Sequence, residues 1–217
     1  MLAPGTVVEP RFNIAPGQDA LAVTTDREGV PRADMLRWGL VPHWADDPKI
    51  GWRMINARAE TAADKAAFRE PLRHRRCLIL ADGFYEWQRL GARRKQPWWI
   101  TLPGHEPFAF AGLWATWRPK GRDEPLRTFT ILTTQPTDAL REVHDRMPVL
   151  LPPDGEAVWL DPATPAGVVA ELLAPREGLV RIPVGPDVGD PANDSPALIE
   201  EVAPLPADGP AAGQTLF

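Results

Sequence analysis

A carboxylic acid, an imidazole, an amide and two guanidinium groups stand out as the chemistry-bearing side chains of this 217-residue sequence. Glu86 sits in the aromatic segment Gly83-Phe84-Tyr85-Glu86-Trp87. Buried there, its carboxyl would hold its proton to higher pH and could act as a general acid or base; on an open strand it would be an ordinary exposed glutamate. His144, in His144-Asp145-Arg146-Met147-Pro148, is either a solvent-facing or structural histidine or a proton-transfer partner. Asn56 can donate and accept at once, and its place ahead of a helical pattern equally suits a turn or a cap. Arg58 and Arg146 each lie two residues beyond one of these groups. Their planar forks fit two phosphate oxygens, although a surface ion pair would account for either. The one cysteine, Cys77, lies in the apolar run Cys-Leu-Ile-Leu and reads as a small buried hydrophobe. A single thiol excludes an internal disulfide and a multi-thiolate metal site, and the four histidines show no His-Glu-x-x-His spacing. No metal and no cofactor are expected.

Those groups must be positioned by short strands with few helices. Segments 20–25, 34–40, 77–88, 97–102, 107–114 and 127–134 are rich in β-branched and aromatic residues and are separated by Gly, Pro and charge clusters. They predict an antiparallel series. Residues 59–72 carry alanines at helical spacing, with Pro71 and the following basic run as the expected stop. A short helix is predicted after Pro136, and another after Pro165, with Thr164 as its N-cap. The fold class that follows is α+β: mostly antiparallel strands in a curved sheet or open barrel, with a few short flanking helices. Residues 1–203 are expected to form a single domain in which 198–202 still pack, and 204–217 a flexible acidic tail rich in Pro and Ala.

Composition narrows the function classes. Hydrophobic residues at 44% supply a core, and charged residues at 24% argue against global disorder. No apolar run is long enough for a membrane helix, and the first residues lack the basic start and apolar stretch of a secretory signal, so a cytoplasmic monomer is expected. The formal charge is −5, but residues 182–217 carry six acids and no Lys or Arg, whereas 53–95 carry eleven basic residues against five acidic ones. Such a band either meets a polyanion or is a solvated surface.

Five segments in this order, Arg-Phe-Asn-Ile-Ala-Pro-Gly-Gln (11–18), Trp-Gly-Leu-Val-Pro-His-Trp (38–44), Ile-Asn-Ala-Arg-Ala-Glu-Thr (55–61), Ala-Asp-Gly-Phe-Tyr-Glu-Trp (81–87) and 144–148, resemble the SRAP family (SOS response-associated peptidase), abasic-site processing proteins of the HMCES/YedK type. The resemblance runs from about Arg11 to Val202. It implies binding of single-stranded DNA at abasic sites and a covalent DNA–protein crosslink, in which a leading cysteine's α-amine forms a Schiff base with the sugar aldehyde and its thiol closes a thiazolidine. It further implies catalytic roles for Asn56, Glu86 and His144. Glu86 would assist ring opening, His144 would handle protons at the sugar and Asn56 would orient the amine. Arg58 and Arg146 would clamp flanking phosphates, Thr133 would touch the DNA backbone, and Pro16, Trp44 and Trp87 would line the DNA cleft and stack on bases. Trp98, Trp99 and Trp114 are left as core.

The sequence departs from the family at its start. Family members open Met-Cys-Gly-Arg, whereas this chain opens Met1-Leu2-Ala3-Pro4. The expectation is a truncated or misassigned start, with a non-crosslinking binding protein as the first alternative and a peptidase or autoprocessing hydrolase using Glu86 and His144 as the second. The expected partner is single-stranded DNA carrying abasic sites, which would bring the protein to the nucleoid. Gln214-Thr215-Leu216-Phe217 resembles a weak replication-clamp peptide.

Overall fold

The computed structural model describes residues 8–91, 93–118 and 124–206; the expected clamp peptide and most of the expected tail lie outside them. In chain order the elements are β1 (Asp19–Thr25), β2 (Pro31–Trp38), β3 (Asn56–Arg58), α1 (Ala66–His74), β4 (Arg76–Ala81), β5 (Gly83–Arg89), β6 (Lys95–Thr101), β7 (Phe108–Trp117) and β8 (Leu126–Thr134). They continue with α2 (Asp138–Arg141), β9 (Met147–Pro148), β10 (Leu150–Leu151), α3 (Glu156–Leu160), α4 (Ala166–Glu171) and β11 (Val180–Pro183).

Alternation along the strands explains the main sheet. Its order is β10-β7-β4-β1-β2-β8-β3, and a further pairing of β7 with β8 closes β7, β4, β1, β2 and β8 into a five-stranded barrel. On β4, Cys77 and Ile79 face a core shared with Phe110, Phe129 and Ile131, while Leu78 points the other way. The opposite face of β7 is built from Ala109, Ala111 and Ala115, small enough to let α3 approach with the fully buried Trp159. The barrel is the predicted curved sheet carried to closure, and it is mixed: β8 runs parallel to both β2 and β3, so the antiparallel series holds for most neighbours but not all. Closure removes most of the free edges that an open sheet would leave.

The segment 77–88, expected as one strand, is two. Its first half is β4 in the barrel and its second half is β5 in a separate three-stranded sheet of order β11-β6-β5. The crossing occurs at Asp82, whose carbonyl accepts from the Thr101 hydroxyl at 2.5 Å. Gly83 follows because nothing larger fits: a Cβ there would lie 1.8 Å from the Trp99 indole nitrogen. Two of the predicted helices are also corrected. Residues 59–61 form a separate 3-10 turn and the α-helix starts only at Ala66, since the Thr61 carbonyl takes the N–H groups of Asp64 and Lys65. Pro71 does not end α1 but lies buried inside it, and the helix runs on to His74, where Arg73 and His74 suit its carbonyl end. Thr164 does not cap α4: its hydroxyl donates to the Val158 carbonyl at 2.7 Å, and Pro165 takes the cap position.

The chain after 185, sparse in sequence signal, is well packed. Val188 and Leu198 are buried against Trp99, and the Val202 N–H bonds the Pro183 carbonyl at 2.9 Å. Leu205, placed by sequence in the flexible tail, donates its N–H to the buried Gln96 at 2.8 Å. No helix among the described residues is long and apolar enough to cross a membrane.

Candidate functional site

A cleft of about 430 Å³ lies where the barrel mouth meets the three-stranded sheet. Its floor is apolar: Ile79, Phe110, Phe129 and Ile131 belong both to the barrel core and to the cleft. Trp38 stacks on Phe129, with ring centroids 6.2 Å apart, and its indole donates to the Ile55 carbonyl at 2.8 Å. That bond fixes the residue before β3, and β3 lies in parallel register with β8, so Asn56 is held opposite Ile131. Asn56 is exposed to the cleft, and its amide has no hydrogen-bond partner among the described residues. Its donors and its acceptor are therefore open to a ligand.

Glu86 faces Asn56 from the other wall. It sits on β5 opposite Trp98, and it lines the same cleft with Trp87 and Pro16. Burial pushes its carboxyl above the usual carboxylate range and Asp145 adds to the shift, against the pull of the His144 imidazole and the Trp87 backbone N–H. A carboxyl so placed can carry a proton at higher pH than a surface glutamate. Neither His144 nor Asp145 is among the residues lining the cleft. His144 itself is half exposed at 46%, and its Nδ1 accepts from the Arg146 backbone N–H at 3.1 Å and lies 3.2 Å from the Asp145 carboxylate.

The remaining sequence candidates divide. Pro16 and Trp87 line the cleft. Trp44 does not: it is half exposed in a separate depression of about 240 Å³ with His43, His74 and Arg75, on the α1 side. Arg58 is exposed and makes no ion pair among the described residues. Arg146 is engaged. Its two terminal nitrogens meet the two carboxylate oxygens of Glu60 at 2.7 and 2.8 Å, and one of them also donates to the Thr133 carbonyl. Its side chain is only 14% exposed, and its Nε is buried without a partner among the described residues. Thr133, expected at the DNA backbone, is buried at 8% with its hydroxyl 3.4 Å from the Arg146 guanidinium. Cys77 is fully buried, and burial drives its thiol far above the ordinary thiol range, as its apolar run implied.

Sequence reasoning missed the latch that closes one side of the cleft. Asp194 accepts from the Arg11 side chain, from the Phe12 N–H at 2.5 Å and from the Asn13 N–H at 3.2 Å. The buried Asn13 amide then donates to the carbonyls of Val188 and Asp190, each at 3.1 Å. Tyr85 on β5 completes it with a 2.7 Å bond to the Phe12 carbonyl. Four of these residues, Arg11, Phe12, Asn13 and Tyr85, stood inside quoted motifs, but Asp194 lies in a Pro/Asp-rich stretch with no local signal. Glu60 was equally legible as a residue and equally silent as a partner. No group of three or more His, Cys, Asp or Glu able to hold a metal occurs among the described residues.

Comparison with known proteins points one way. A family model described as SOS response associated peptidase matches residues 3–191. The abasic site processing protein YoqW of Bacillus subtilis is 46% identical over 195 residues, covering 88% of this chain and 86% of that protein. The abasic site processing protein HMCES of Xenopus tropicalis is 30% identical over 234 residues, covering 94% and 69%. Among solved structures, a protein from Bacteroides thetaiotaomicron superimposes with a TM-score of 0.78 at 26% identity, covering 86% of this chain and 82% of the other. A phage-related protein from Bordetella bronchiseptica gives 0.65 at 34% identity, covering 82% and 84%. On the extent of the family match and the level of these identities, the chain belongs to the SOS response associated peptidase (SRAP) family.

Proposed function

We propose that this protein processes abasic sites in DNA, taking the damaged sugar of a single strand into the cleft between β3 and β5. The observation that carries the reading is the pairing of Asn56 and Glu86. An unpartnered amide and a carboxyl with a raised pKa, from two different sheets, face one cleft above an apolar floor. Pro16 and Trp87 offer flat apolar surface on which bases beside the lesion can stack. Arg58 supplies an uncommitted cation for a flanking phosphate. The names carried by the relatives agree with this use of the site.

The chemistry suits an opened abasic deoxyribose. A primary amine adds to its aldehyde, and the resulting carbinolamine loses water to give a Schiff base. Protonated Glu86 can lend a proton to the departing hydroxyl, and His144 is the group to which the family resemblance gives proton exchange with the sugar. An α-amine suits the nucleophile, because its pKa of about 7.7–8.0 leaves a useful neutral fraction near pH 7. Closure to a thiazolidine adds a thiol across the carbon–nitrogen double bond, and the buried Cys77 cannot supply it. The covalent product therefore calls for a thiol other than that of Cys77.

The test is a gel shift with single-stranded oligonucleotides, with and without one abasic site, run under native and SDS conditions. The expected result is tighter binding of the abasic strand and loss of the preference in Asn56→Ala and Glu86→Ala, with the SDS lanes reporting whether a covalent bond forms. Equal affinity for the two strands, unchanged by either substitution, would remove the reading.

A further inference from the structure

We infer that Glu60 occupies a phosphate seat on Arg146 in the free protein, so that a DNA strand must displace a carboxylate before that arginine can hold its backbone. This rests on the reading of the cleft as a DNA site and deepens it.

The geometry carries the inference. A carboxylate and a phosphate present the same pair of oxygens to a guanidinium fork. The Glu60 oxygens lie 2.7 and 2.8 Å from the two terminal nitrogens of Arg146, which is the bidentate arrangement a phosphate would adopt. The arginine is prepared for a ligand rather than for free movement. Its side chain is 14% exposed, the Thr133 carbonyl fixes one terminal nitrogen, and its buried Nε has no acceptor among the described residues. The carboxylate is the more accessible partner, with 45% of its side chain exposed.

The second arginine lies beside the same seat. Arg58 is two residues before Glu60, and its Cα pairs with that of Thr133, the residue whose carbonyl holds Arg146. Arg58 has no ion-pair partner of its own among the described residues. The fields of Arg146 and Arg58 both hold the Glu60 carboxyl below the usual range, Arg146 more strongly. An anion at this position is therefore stabilised from two sides, and Glu60 is the resident one. The consequence is a threshold. A single stray phosphate gains little by exchanging one bidentate anion for another, whereas a strand also anchored in the cleft can make the exchange.

The experiment measures affinity and its salt dependence for abasic and unmodified single strands. The wild type is compared with Glu60→Gln, Glu60→Asp, Arg146→Ala and the Glu60→Gln/Arg146→Ala double variant, each first checked for folding by circular dichroism. Glu60→Gln should bind both strands about tenfold tighter, the size of one charge-assisted contact. Its log affinity should fall more steeply with log salt, by about 0.7 for one added phosphate on a single strand. Glu60→Asp, which keeps the charge but shortens the reach, should give a smaller gain. Most of the Glu60→Gln gain should vanish in the Arg146→Ala background. Unchanged or weaker binding by Glu60→Gln and Glu60→Asp, or a gain that survives without Arg146, would overturn the inference. The two readings separate cleanly. A Glu60→Gln gain on both strands without abasic preference in the wild type keeps the seat and removes the lesion site; abasic preference with no Glu60 effect does the reverse.

Discussion

Two regions of the site hold their polar groups by opposite means. Around Glu86, on β5, the protein surrounds one carboxyl with apolar surface, and burial holds it above the usual carboxylate range. Around Arg146, it leaves the carboxylate of Glu60 in water and satisfies the guanidinium with oxygen atoms. The first region tunes a proton, which needs low polarity and a rigid wall. The second handles charge, which needs exchangeable partners near solvent. The Glu60–Arg146 pair, half open to water, is worth little as a stabilising ion pair and more as a displaceable contact.

The comparison can be broken most severely at Gly83. A Cβ at this position meets the Trp99 indole, whose neighbour in sequence lies opposite Glu86 across the sheet. Gly83→Ala should destabilise the fold by about 3 kcal/mol, as an overpacked core does, and should blunt the cleft. Urea unfolding checks this, and a loss under about 0.5 kcal/mol, the scale of a neutral surface change, would show that the wall is soft. Next comes the latch. Asp194→Ala removes the acceptor of three bonds and should lose about 2 kcal/mol, with hydrogen exchange rising at Phe12 and Asn13. Protection that stays unchanged there would detach the latch from the cleft wall.

Glu86 sharpens the contrast through pH. Its carboxyl is raised in the folded state, so folding is favoured while the group is protonated in both states. That contribution is lost as pH rises from the ordinary carboxylate range through the higher folded value. The stability of Glu86→Gln relative to wild type should therefore climb with pH in that window. A flat difference across acidic to neutral pH would mean that Glu86 is solvated. The smallest stability change belongs to Arg58→Ala, within about 0.5 kcal/mol as for an exposed residue without partners. DNA affinity should nevertheless fall and the salt slope should flatten by about 0.7. An unaltered slope would take Arg58 out of the interface.

Much of the site was legible residue by residue. Asn56, Glu86, Pro16 and Trp87 share the cleft, and they were chosen on side-chain chemistry and on the motifs containing them. Alternation named most strands because each buries one face and the period of two survives in the sequence. Trp44 lines a different depression, since an aromatic beside a motif gives no information about which concavity it enters. The strand break at Asp82 was missed because β-branched and aromatic residues continue across it, and only the approach of Trp99 makes Gly83 a crossing point.

By itself the sequence determined the inventory: a strand-rich chain, a single cysteine destined for burial, and a set of side chains fit for proton transfer and phosphate contact. These follow from local pattern and residue type, which the chain carries wherever it folds. Only the tertiary structure decided the partnerships. It closed the barrel through β7 and β8, gave Arg146 to Glu60, and tied Asp194 back to Arg11, Phe12 and Asn13. The first of these joins consecutive strands, but the other two join positions far apart in the chain. Sequence spacing says nothing about such pairs until packing has brought them within a hydrogen bond's reach.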